Sequence, residues 1–116
     1  MRSIVAASGS ELLSAPIYVP FQDVWGGSFV RLHDPRTLAA LSRFAGSLHP
    51  GLQLVLYDLD GRTPEEDLLT VGVVARGKVG EWIAELDPDS LIHVEDLDPA
   101  AQTLYKDARQ RQEAGR

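Results

Sequence analysis

From Leu52 to Val94 every apolar run is short and stops at a cluster of turn-forming residues. The stops are Asp58-Leu59-Asp60-Gly61, Arg76-Gly77-Lys78-Val79-Gly80 and Asp87-Pro88-Asp89-Ser90. A helix needs a longer run with three- and four-residue spacing, so short period-two runs of this kind read as strands. Leu52–Tyr57 has apolar residues in both alternating sets and reads as a strand buried on both faces. Leu68–Ala75 is rich in valine, and Gly72 within it marks a bulge or a close backbone approach. Glu81–Leu86 returns from the second turn as a hairpin partner. Trp82, Ala84 and Leu86 take its core face, and Glu81 and Glu85 flank Ile83 on its solvent face. Leu91–Val94 is a further short strand. Tight turns dictate antiparallel neighbours, because a parallel pair needs a crossover connection.

Ahead of this block, Ile17–Val19 is β-prone, and Pro20 confines it to a sheet edge or a strand end. A strand resumes at Ser28–Leu32 after Gly26-Gly27. Asp34-Pro35 opens a helix predicted over 35–48: Asp caps free N–H groups, and Pro at the first position forfeits no hydrogen bond. Its predicted core stripe is Leu38, Leu41, Phe44, Ala45 and Leu48. Asp98-Pro99 repeats that start, and a second helix is predicted over 99–112, with Leu104 and Tyr105 as its main apolar contacts and a frayed end at 112–116. Residues 1–16 are weakly patterned, with a strand expected near Ser3–Ala7 and a helical turn at Glu11–Leu13.

The sum is one α+β domain over 1–116: a small, mostly antiparallel sheet or partly open barrel of about five or six short strands, with a central and a C-terminal helix. In the order of its parts, Gly51–Pro99 resembles a small barrel of the Src-homology-three type. There a loop-linked strand pair leads into a hairpin, a one-turn break and a final short strand. The resemblance rests on spacing, and the long helix ahead of it is a departure. It implies a fold and no binding residues.

Charge is distributed unevenly over this framework. Twelve of the seventeen acidic residues fall between Asp58 and Asp98, opposed there only by Arg62, Arg76 and Lys78, for a local net charge of −9 within a total of −6. Such a balance disfavours nonspecific nucleic-acid binding, which neutralises phosphates with Lys and Arg. It equally disfavours an anionic membrane surface. No apolar run approaches the roughly 20 residues of a membrane helix, and Ile4–Ala7 is shorter than a secretory signal core. The chain has no cysteine, which removes thiol catalysis and cysteine-ligated metal and fits a reducing cytoplasm.

The most suggestive string is Leu54-Val55-Leu56-Tyr57-Asp58-Leu59-Asp60-Gly61. It resembles the nucleophile motif of haloacid-dehalogenase-type phosphatases. That resemblance implies Asp58 as nucleophile, Asp60 as general acid/base, and magnesium held by both. The chain departs from the pattern: Thr63 is displaced from the glycine by Arg62, and the residues that follow read as hairpins where crossover helices are needed. As a calcium loop the string fails, with Thr63 and Leu69 at the sixth and twelfth positions where Gly and Glu are required. His93-Val94-Glu95 imitates a zinc-deaminase His-x-Glu without the two cysteines that accompany it. No catalytic residue, metal ligand or cofactor follows from the sequence.

What remains is the acidic surface. The favoured reading is a non-enzymatic protein-binding domain that engages a basic partner surface, like an inhibitor or immunity protein by analogy of charge and size. Its expected binding residues are Asp58, Asp60, Glu65, Glu66, Asp67, Glu81, Glu85, Glu95 and Asp96, with Trp25 as an aromatic anchor. The alternatives are a small magnesium-dependent phosphohydrolase using Asp58 and Asp60, and a structural or self-associating subunit.

Overall fold

The structure, a computed structural model, describes residues 13, 15–24, 26, 28–42 and 48–114. Strand β1 is Ile17–Tyr18, β2 Phe29–Arg31, β3 Gln53–Asp58, β4 Leu68–Arg76, β5 Trp82–Leu86 and β6 Ile92–His93; helix α1 is Pro35–Leu41 and α2 Pro99–Ala114. Single 3-10 turns at Phe21–Asp23, Pro64–Glu66, Pro88–Ser90 and Val94–Asp96 punctuate them. The sheet runs β1-β3-β4-β5-β2, and β6 adds to β4. It curls into a half-barrel, an α+β fold. The β3–β4, β4–β5, β2–β5 and β4–β6 pairs are antiparallel, while the edge strand β1 lies parallel to β3.

Strand β4 organises the sheet. One edge pairs with β3 from Leu68 to Val73, while the other serves β6 at Leu68–Leu69 and β5 from Gly72 to Arg76. The gap between these two partners is closed by the Pro88–Ser90 turn. There Asp87 N–H donates to Val71 O (2.9 Å), and Val71 N–H donates to Ser90 Oγ (2.9 Å). Ser90 Oγ donates to Asp87 O (2.7 Å) and lies 2.9 Å from Thr70 Oγ1. A buried serine thus takes the place of a ladder residue, and no backbone polar group is stranded at the strand change.

Gly72 is a close approach, with no bulge in the register: a Cβ there would lie 2.6 Å from Leu56 Cδ1. The alternation of β3 and β4 makes two cores. Val55, Tyr57, Leu69 and Val71 face α2, where they meet Tyr105, Ala101, Val94, Leu97 and Leu13. Leu54, Leu56 and Val74 face the concave side with Ala84, Ile17, Val19, Val30, Leu32 and Leu41. Both alternating sets of β3 are therefore buried, as their composition predicts.

Several expectations are corrected. The face of α1 is rotated: Thr37 and Leu41 are buried, whereas Leu38 is 51% exposed. The cause is a hydrogen bond from Thr37 Oγ1 to Tyr18 O (2.5 Å), which turns the threonine inward against β1. Phe44 and Ala45 lie outside the described residues, as do Ser3–Ala7. Trp82 is half-buried at the core margin with Arg76 stacked 3.8 Å above its ring, and Ile83 is buried although it alternates with the glutamates. Helix α2, Pro99–Ala114, agrees with the helix expected over about 99–112, and Gln112 Nε2 ties its end to Pro16 O (2.8 Å).

Candidate functional site

The acidic segments meet at the Leu68 end of β4. Here the Pro64–Glu66 turn packs against the Val94–Asp96 turn, and Val94 N–H donates to Asp67 O (3.0 Å). Below this junction Asp67 is almost completely buried. Its carboxylate accepts from Tyr105 Oη (2.5 Å) and from Arg109 Nη1 (2.7 Å), both on α2. Burial pushes the Asp67 carboxyl above its ordinary range, against the pull of the tyrosine hydroxyl and the guanidinium. Burial also drives the Tyr105 phenol far up, so this hydroxyl serves as a donor at any working pH. Asp67 is withdrawn from the binding set for this reason. It pins the turn to the helix and is out of reach of any partner.

The exposed carboxylates ride on that clamp. Glu66, Glu95 and Asp96 make no ion pair among the described residues. Glu65 is bridged by Lys106 at 3.1 Å, both partly exposed, and hydrogen bonding holds its carboxyl below the usual range. Asp60 binds His93 Nε2 at 2.8 Å and raises that imidazole above its ordinary value. Asp58, half-buried, accepts from the backbone N–H groups of Phe21 (2.9 Å) and Leu59 (2.8 Å), so its carboxylate ties the Phe21 turn to the end of β3. Asp58 and Asp60 therefore hold different partners and do not converge on one point. Among the described residues no three His, Asp or Glu side chains form a metal-holding group.

Glu81 and Glu85 lie elsewhere. β4 is nine residues long, so its two ends are roughly 26 Å apart. Glu81 is at the far end, 4.0 Å from Arg31, and its Oε1 accepts from Val79 N–H (3.2 Å). Glu85 is exposed one residue before the end of β5, opposite Val73 and Phe29. The predicted acidic surface thus divides into a cluster of Asp60, Glu65, Glu66, Glu95 and Asp96, and two outlying glutamates. Trp25, the predicted anchor, lies outside the described residues.

Sequence reasoning missed an apolar cleft of about 190 Å³ on the concave side, lined by Phe21, Val24, Thr70, Leu86, Pro88 and Leu91. Leu91 is 53% exposed at its mouth. No local sequence signal marks it, because its lining comes from three separate segments of the chain. No protein-family model, curated protein or solved structure gives a match to this chain. Among the described residues no helix is long and apolar enough to cross a membrane.

Proposed function

We propose that this chain is a non-enzymatic protein-binding domain of the cytoplasm whose acidic end engages a basic partner surface. The observation that supports it is the packing of the Pro64–Glu66 turn on the Val94–Asp96 turn. That contact brings Glu66 beside Glu95 and Asp96, and the stretch from Val79 to Tyr105 that carries Glu95 and Asp96 contains no Lys or Arg. Carboxylates held in fixed positions sum their fields, which raises the encounter rate with a cationic partner and does so most strongly at low salt. The cysteine-free composition suits a reducing compartment.

Reversing Glu66, Glu95 and Asp96 to lysine is the direct test, with the natural partner captured from lysate at low and high salt and identified. Capture falls at least about tenfold at low salt, the magnitude of steered association. At about 0.1 M salt, where surface charge is screened beyond roughly 10 Å, the same reversal at Glu81 and Glu85 leaves it within about twofold. Capture that ignores the triple reversal, or that ignores salt, removes the acidic end as the site.

A further inference from the structure

We infer that the cleft between the Phe21–Asp23 turn and the Pro88–Ser90 turn receives one large apolar side chain from a partner segment whose neighbouring residues are Lys or Arg. The inference rests on the binding role assigned to the acidic end and adds the recognition element that charge alone lacks. Electrostatic attraction speeds encounter, whereas affinity comes from a desolvated apolar anchor in a pocket.

Size, position and charge each bear on the occupant. At about 190 Å³ the cleft is smaller than the roughly 300–1,000 Å³ typical of small-molecule sites, and it suits a single side chain. Its walls are almost wholly apolar, because the Thr70 hydroxyl, its polar member, is already committed to Asp87 O (3.0 Å). Strand pairing puts the cleft beside the acidic end. His93 pairs with Leu68 and Ile92 with Leu69, so alternation sets His93 on the Thr70 side of β4. His93 there carries Asp60.

Carboxylates adjoin the residues that line the cleft. Asp58 bonds the backbone of Phe21, Asp23 ends the same turn, and Asp87 and Asp89 bracket Pro88. Of the three segments that supply the cleft's lining, 19–24 and 79–98 contain no Lys or Arg, and β4, which supplies Thr70, has its arginine at the far end, Arg76. An apolar slot with carboxylates beside it selects an apolar residue flanked by cations and rejects one flanked by acids. A second copy of this chain, with its net charge of −6, is a poor occupant on the same ground.

The test uses short random peptides displayed on phage, selected against the full chain at low salt, then synthesised and titrated. Selected peptides carry a Leu, Ile, Met or Phe between Lys or Arg residues. Replacing that residue by Ala, or Leu91→Asp in the protein, weakens binding at least about tenfold, the scale of a hot-spot loss. Val79→Asp, at the 86% exposed tip of the far hairpin, changes it less than about twofold. Amide shifts on peptide addition move at Phe21, Leu86 and Leu91. Basic peptides that bind without an apolar residue and ignore Leu91→Asp overturn the cleft while leaving the acidic end intact. Apolar peptides that bind regardless of their charge overturn the pairing of slot and rim. No enrichment, or Leu91→Asp acting only by abolishing self-association, overturns it as well.

Discussion

The two ends of β4 are built from similar residues and held in opposite ways. At the Leu68 end an aspartate, a tyrosine and an arginine meet out of water: Asp67 with Tyr105 and Arg109 binds a turn to a helix. At the Arg76 end the charges stay wet. Arg76 lies over Trp82 and donates to Gly80 O (2.8 Å), and Arg31 stands 4.0 Å from Glu81. Gly80, at φ 84°, supplies the left-handed turn that closes this hairpin, and Val79 at its tip is 86% exposed. One end is anchored by the core, the other by a surface stack. A buried ion pair becomes costly when one member is removed, whereas exposed pairs add little. The acidic cluster proposed to bind therefore sits where the chain is best supported.

Removing the buried carboxylate opens the widest gap between the two ends. Asp67→Ala removes the buried carboxylate to which Tyr105 and Arg109 both donate and lowers unfolding free energy by about 3–5 kcal/mol, while Arg76→Ala loses a stack worth roughly 0.5–1 kcal/mol. Urea unfolding of both variants checks this, and equal losses would mean that the ends are equally anchored. Ser90→Ala tests the span between them. It leaves Val71 N–H unsatisfied and costs about 1–3 kcal/mol, whereas Ser42→Ala, at an exposed helix end, stays within roughly 0.5 kcal/mol; thermal melts distinguish the two.

The smallest effect is at His93, whose ring is raised first by its hydrogen bond to Asp60. The folded chain holds that proton more tightly than the unfolded one. The resulting gain is complete below the ordinary histidine value of about 6.5 and is lost as pH rises through the folded value. Proton NMR of the imidazole shows the midpoint above the ordinary value and moving down in Asp60→Asn. A midpoint unmoved by that change would detach His93 from the acidic end.

Much of the framework was readable because it depends on local chemistry. Asp34-Pro35 begins a helix, with Asp34 Oδ1 accepting from Arg36 N–H at 2.9 Å, and Asp98-Pro99 begins another, with Asp98 Oδ1 accepting from Ala101 N–H at 2.9 Å. The three turn clusters end strands within a residue or two of where they were read. Binary pattern was weaker evidence on faces. The apolar spacing puts Leu38 in the core and is silent on Thr37, because the Tyr18 carbonyl that turns Thr37 inward is remote in sequence. Locally Asp67 is indistinguishable from its acidic neighbours for the same reason: its partners lie 38 and 42 residues away.

The sequence by itself determined where this chain turns, which segments extend, where its helices start, and that its central stretch is anionic. These follow from φ preferences, capping and alternation, all of which act within a few residues. Only the tertiary structure decided which carboxylates face water together, which one is buried against a helix, and that an apolar cleft opens beside them. Side chains with identical local preferences diverge there, because desolvation and Coulomb energy depend on neighbours that folding brings in from distant parts of the chain.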